Sequence, residues 1–414
     1  MKKSFSLLMA MLMLVTMLSA CSGGDSKGDT ADENSSTTVE AGTPNTTDDG
    51  GDIIIGGIND LSADGSVLGN AISTGAELAI DEINAAGGIM GRKIKYIPYD
   101  NQNKADQTIN SYNRLVDIDK AVAVIGPPSS TICMSLIEVS TEKMVPVLCV
   151  PSDPNVTVNA ATGEPYPALF LATQPNAIAQ AEIMADFMYA EKGTTKAAVF
   201  YDAKNSYSTI NADSFIEAWE KIGGEIVANE TFQTNDNDFK TQLTKIKDSG
   251  AEFVYVPNTT PYCVLIVQQA AQVGLSIPYV GAMDMAEPFP NLLSDPKMCK
   301  EAYFEAVAWM QDEKLDTFNA AYKEKFKEDA TLKSVQGYEQ VYIIKEAIEA
   351  RGAADPESIR LGVENDIQGL DLIGVENYTQ SPDTHAPVGM TMIICEIQDG
   401  ELMRWGDYTP TLFD

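Results

Sequence analysis

Ser129 and Ser130 follow Gly126-Pro127-Pro128, where a β-branched run at residues 121–125 gives way to an apolar-periodic stretch that predicts a helix. Hydroxyls and unpaired backbone amides at a helix start can hold an anion, and a carboxylate suits them. The same two serines can also do no more than cap their own helix. Ser152 and Asp153 lie in Pro151-Ser152-Asp153-Pro154-Asn155 after another short strand, and Asp284 follows Gly281-Ala282-Met283 after a third. Either aspartate can receive an ammonium or a hydroxyl, or stand as a solvated loop acid. Tyr207 sits in the loop after a predicted strand, where its ring can close over a ligand. Asn59 in Asn59-Asp60-Leu61-Ser62 and Thr259 in Pro257-Asn258-Thr259-Thr260 occupy two more strand ends. These groups can bind a small polar solute, and they lack the base that turnover needs.

The composition points away from catalysis. One histidine, His385, in 414 residues disfavours histidine bases, histidine pairs on zinc and Ser-His-acid triads, and its setting in Thr384-His385-Ala386-Pro387 reads as a structural loop. No phosphate-cradling glycine motif, zinc-protease motif, nucleophile elbow or calcium loop is present, so no cofactor and no metal are expected. With 28 Lys and Arg against 60 Asp and Glu, the formal net charge is −32, which argues against a nucleic-acid partner. Cys133, Cys149, Cys263, Cys299 and Cys395 are widely spaced without a Cys-x-x-Cys, which gives neither a full disulfide framework nor a zinc site and reads as small buried side chains.

The elements that must position the candidate residues alternate. A β-branched run at 53–58, a loop at 59–69 and a helix that stops at Gly87-Gly88 form a β-loop-α unit, and further strands and helices follow to residue 131. The order recurs from residue 196, with a helix that stops at Gly223-Gly224. This pattern predicts an α/β protein of two similar lobes with parallel sheets, and in such sheets ligands bind beyond the carboxyl ends of the strands.

The amino terminus has its own chemistry. Lys2 and Lys3 precede an apolar run from residue 4 to 20, the order of a secretory signal. The run ends in Leu18-Ser19-Ala20-Cys21, which resembles the lipobox of bacterial lipoproteins, so residues 1–20 are expected to be removed and Cys21 to carry lipid. Removal of Lys2 and Lys3 leaves 26 cations against 60 anions and a net charge of −34. Residues 21–52, poor in apolar side chains, are expected to form a disordered tether to the membrane.

Residues 74–94, Thr74-Gly75-Ala76-Glu77-Leu78-Ala79-Ile80-Asp81-Glu82-Ile83-Asn84-Ala85-Ala86-Gly87-Gly88-Ile89-Met90-Gly91-Arg92-Lys93-Ile94, are similar to the first-helix signature of solute-binding proteins that serve ABC transporters for branched-chain amino acids. Ala123-Val124-Ile125-Gly126-Pro127 with Ser129-Ser130, Val199-Phe200-Tyr201-Asp202, residues 268–275, and Gly337-Tyr338 follow in the same order as in that family. The resemblance spans residues 53–414.

It implies the type I periplasmic-binding fold, two Rossmann-like lobes joined by a three-strand hinge. By analogy the first lobe comprises 53–174 plus 285–352 and the second 175–284 plus 353–414. The implied function is that of a lipid-anchored, monomeric protein that closes on a small solute and delivers it to ABC permease subunits, without converting it. A ligand-sensing subunit, or a carrier of a carboxylate or amide other than an amino acid, is the alternative. Ser129 and Ser130 fall at the family's carboxylate-binding turn, and Ser152 and Asp153 fall where the family offers a carbonyl to the ligand ammonium. Pro154 replaces an expected threonine, Ser208 replaces the glycine after Tyr207, Thr259 holds a position that is often tyrosine, and Asp284 is one place from the expected acid. The loss of the threonine hydroxyl removes one acceptor for an α-ammonium, which Asp153 or Asp284 can restore.

Overall fold

The computed structural model describes residues 50–413; the expected signal segment, Cys21 and nearly all of the tether lie outside them. The first sheet begins with β1 (Ile53–Asn59), whose isoleucines suit a strand buried on both faces. Helix α1 (Ser66–Ala85) follows, then β2 (Ile94–Asp100), α2 (Ala105–Asp117) and β3 (Ala123–Ile125). The helix expected from Ser129 is two short ones, α3 (Ser130–Met134) and α4 (Ile137–Lys143), before β4 (Val147–Cys149) and β5 (Leu169–Leu171). These five strands are all parallel, in the order β2-β1-β3-β4-β5.

The second sheet repeats that order. After α5 (Ala177–Asp186) come β6 (Lys196–Asp202), α6 (Ser206–Lys221), β7 (Glu225–Phe232), α7 (Lys240–Asp248), β8 (Phe253–Tyr255), α8 (Thr260–Val273), β9 (Tyr279–Gly281), α9 (Phe289–Leu292) and β10 (Glu301–Ala306). Strands β7-β6-β8-β9-β10 match the first sheet position for position. The repeat extends to the helix ends: Gly88 N donates to Ile83 O at 2.8 Å and Gly224 N to Trp219 O at 2.8 Å, the same six-residue closure at a glycine pair. Gly87 and Gly223 supply the positive φ that each closure requires, at 118° and 96°.

The rest of the chain returns to the first sheet and then to the second. Helices α10 (Asp316–Phe326) and α11 (Leu332–Arg351) pack on α1, and α12 (Pro356–Asn365) packs on α11. The two-residue strands β11 (Thr379–Gln380) and β12 (Pro387–Val388) pair with each other. The closing hairpin, β13 (Met392–Gln398) and β14 (Glu401–Tyr408), turns at Asp399-Gly400 and extends the second sheet antiparallel to β10. Sheet pairing and helix packing depart from the expected lobe boundaries at two places. Residues 301–306 pair with β9 and β13 rather than joining the first lobe, because their alternating side chains complete the second sheet. Residues 356–388 stay with the first lobe: α12 lies on α11, and the His385 ring stacks on Phe170 of β5 at 4.3 Å. His385 is buried and its Nδ1 sits 3.0 Å from Tyr166 O, the structural role its loop suggested.

Two packing details fix the frame. A Cβ on Gly75 would lie 1.9 Å from Ser334 O, and one on Gly337 would lie 2.1 Å from Ile72 O, so α1 and α11 cross at backbone contact. In the second half the core is aromatic: Phe215 of α6 stacks on Tyr255 of β8 at 4.1 Å and on Trp219 at 5.8 Å. Among the described residues no helix is long and apolar enough to cross a membrane, and the five cysteines are buried free thiols.

Candidate functional site

In each sheet the strand order reverses between the first and third strands, at β1/β3 and at β6/β8, and the loops that leave the carboxyl ends there form two rims. The rims touch: Thr131 Oγ1 of α3 and Ser206 Oγ of α6 are 3.1 Å apart. Most of the residues that the sequence singles out lie along these edges.

The first rim is largely self-satisfied. Ser129 is half-buried and stands before α3, making no side-chain cap bond of its own. Ser130 is buried, and its Oγ accepts from Asp153 N at 3.4 Å, which joins the β3 and β4 loops. Asp153 caps a single turn begun by Pro154, its Oδ1 accepting from Asn155 N and Nδ2 at 2.9 Å each. Burial pushes its carboxyl above the usual range. Ser152 Oγ accepts from Gln174 Nε2 at 2.6 Å and Gln180 Nε2 at 3.0 Å, so both lone pairs are spent on its own chain. Asn59 is fully buried and donates to Ser73 Oγ at 3.1 Å; it secures the end of β1 from inside.

The second rim is acidic and phenolic. Tyr207, in the first turn of α6, donates to Asp284 Oδ2 at 2.5 Å, and Thr260 Oγ1 donates to Asp284 O at 2.9 Å. Burial, and next the field of Asp284, drive the Tyr207 phenol well above its ordinary value. Burial also raises Asp284, against the opposing pull of the Tyr207 bond and of Lys333. Thr259 precedes α8, half-buried, with its carbonyl accepting from Tyr262 and Cys263 N.

Four groups at or near the rims were not legible as site residues. Lys333 of α11 donates to Gln174 Oε1 at 2.9 Å and feels Asp284 across the cleft; burial lowers its ammonium to about 8. Gln174 passes this contact on to Ser152. Tyr255 ends β8 and Glu305 lies next to the end of β10; both are 0% exposed. For Glu305 a signal existed, an acid inside the apolar run Ala302-Tyr303-Phe304-Glu305-Ala306. For Lys333 there was none, because a lysine near a helix start looks like any surface residue. Among the described residues no group of three or more His, Cys, Asp or Glu side chains is placed to hold a metal ion.

Two α/β sheets with parallel cores and rims that touch define the two-lobed architecture of solute-binding proteins. A family model described as periplasmic binding protein matches residues 52–401, and the chain belongs to that family. An amino acid binding protein of Pseudomonas aeruginosa is 31% identical over 226 residues, 54% of this chain and 59% of that relative. A leucine-, isoleucine-, valine-, threonine- and alanine-binding protein of the same organism is 25% identical over 70% of this chain and 76% of its own. Among solved structures, the branched-chain amino acid transporter substrate-binding protein LivJ of Streptococcus pneumoniae, in complex with isoleucine, superposes with a TM-score of 0.78 at 26% identity, over 87% of this chain and all of that one.

Proposed function

We propose that the protein is the extracytoplasmic solute-binding component of an ABC importer, that it binds an amino acid between the two rims, and that it does no chemistry on it. The observation that supports this reading is the meeting of the two rims at Thr131 and Ser206: Ser129 and Ser130, suited to a carboxylate, stand on one rim, and the Tyr207–Asp284 pair, suited to an ammonium, on the other. Ser129, Ser130 and the amides around them receive the α-carboxylate; Asp153 and Asp284 compete for the α-ammonium. A solute that bridges the rims favours the state in which Thr131 meets Ser206, and the permease reads that state. Lipid on Cys21 holds the protein at the membrane, the segment to residue 52 lets it reorient, and the protein acts as a monomer.

Calorimetric titration of the purified chain against the L-amino acids tests the reading. A bound ligand at ~100 times its dissociation constant adds ~2.7 kcal/mol of stability, so a melting shift must accompany the heat. Heat with no L-amino acid from folded protein refutes it. Pro154, where the resemblance expects a threonine hydroxyl, favours one second reading, a carboxylate without an α-ammonium; it predicts shifts with simple carboxylates alone.

A further inference from the structure

Glu305 is a buried acid that the α-amino and α-carboxyl groups of a solute leave unused. It is the fifth residue of β10, it is 0% exposed, and no donor of another residue reaches either carboxylate oxygen. Such a group costs free energy in the empty protein, since an unpaired buried polar atom loses its water without replacement. The titratable groups that act on it or feel it are Asp284, Tyr255, Tyr207 and Cys395, and none is a cation. Tyr255 shares its condition, with a buried Oη that has no partner.

Register places these groups on one surface. Tyr255 lies opposite Val280, and Val280 opposite Tyr303, so Tyr255, Tyr303 and Glu305 project from the same face of the sheet. Glu305 is two residues beyond that row, toward the carboxyl-terminal edge from which the Asp284 loop departs. Asp153, Asp284 and Glu305 are set against Lys333 at or near these rims; burial holds the three acids toward their neutral forms, and a ligand cation beside Glu305 would favour its ionised form, which a zwitterion with an uncharged side chain does not do.

We propose that Glu305, with Asp284 and Tyr255, forms a subsite for the cationic end of a basic α-amino acid, an ammonium or guanidinium that donates to the two unpartnered oxygens. The inference rests on the amino-acid reading above and names its side-chain class. A cation satisfies Glu305 and adds the missing positive charge; an aliphatic side chain leaves both oxygens unpaired, and polar sites reject such ligands strongly.

The test is calorimetric titration of the full chain, at neutral pH, with L-arginine, L-lysine and L-leucine, for the natural protein and for Glu305→Gln and Glu305→Leu. The expected result is that arginine or lysine binds at least ~10-fold tighter than leucine, that Glu305→Gln loses about 10-fold or more of that affinity, and that Glu305→Leu shifts preference toward leucine. Glu305→Gln keeps the size and shape of the side chain, so it serves if the leucine variant does not fold. Tighter binding of leucine than of both basic amino acids, or undiminished arginine and lysine affinity in Glu305→Gln, overturns the subsite and leaves the amino-acid reading standing. Absence of heat with every L-amino acid overturns both.

Discussion

The two rims answer the same problem, how to carry polar groups at the edge of an apolar sheet, in opposite ways. On the first, Ser130, Ser152 and Asp153 hydrogen-bond to their own chain, so most of that edge is assembled before any ligand arrives, although Asn59 Oδ1 is buried without a partner. On the second, Tyr207 and Asp284 satisfy each other, while Tyr255 and Glu305 hold buried atoms that nothing in the protein satisfies. An assembled edge gives general recognition at little ordering cost; an unsatisfied one gives selectivity, because only a ligand with the right donors removes the penalty.

The largest effect expected is on the backing of the second rim. Phe215→Ala removes a ring stacked on both Tyr255 and Trp219 and should cost about 3–5 kcal/mol in a denaturant melt. A loss below about 1 kcal/mol would show that the aromatic stack does not stiffen that edge. A second contrast lies between two buried glutamates. Glu339 of α11 accepts from Gly374 N at 2.7 Å, yet burial still pushes its carboxyl up to about 7 from 4.5. Over that interval the unfolded chain has released this proton and the folded chain has kept it. Stability is therefore full below pH 4.5 and falls as pH rises toward 7, by about 3 kcal/mol for this group. Glu339→Gln should flatten that slope in melts taken across the interval; the carboxyls of Asp153, Asp284, Glu287 and Glu305, which burial also raises, contribute to what slope remains.

The frame of the first rim is tested at the α1–α11 crossing. Gly337→Val, which drives a side chain into Ile72 O, should cost about 1–3 kcal/mol, and more if the helices cannot part. The smallest effect belongs to the bridge between rims. Thr131→Val removes the hydroxyl bonded to Ser206 and should weaken the closed state by about 1 kcal/mol, roughly a 5-fold shift in population. Distance measurements between labels on the two halves report that shift; an unchanged distribution would mean that the contact is incidental.

Much of this was open to reading from residue order. The β-branched runs and the glycine pairs at 87–88 and 223–224 are local signals, and each marks the element it announced. That Ser130, Asp153, Tyr207 and Asp284 lie at the sheet edges was legible because strand ends are the places where parallel sheets leave polar loops. The assignment of β10 and α12 to lobes was not, since a short strand pairs with whichever sheet edge tertiary folding brings to it. Nor was the standing of Ser152, whose hydroxyl looks available in sequence and is occupied by two glutamines 22 and 28 residues away.

What the sequence determined by itself is the alternation of strand and helix, the repeat and the family, because these depend on local periodicity and on motifs short enough to be contiguous. The tertiary structure alone decided which hydroxyls are already spent, that Lys333 comes near Asp284, and that Glu305 lies buried without a donor. Those are properties of through-space contact and desolvation, and no spacing along the chain encodes them.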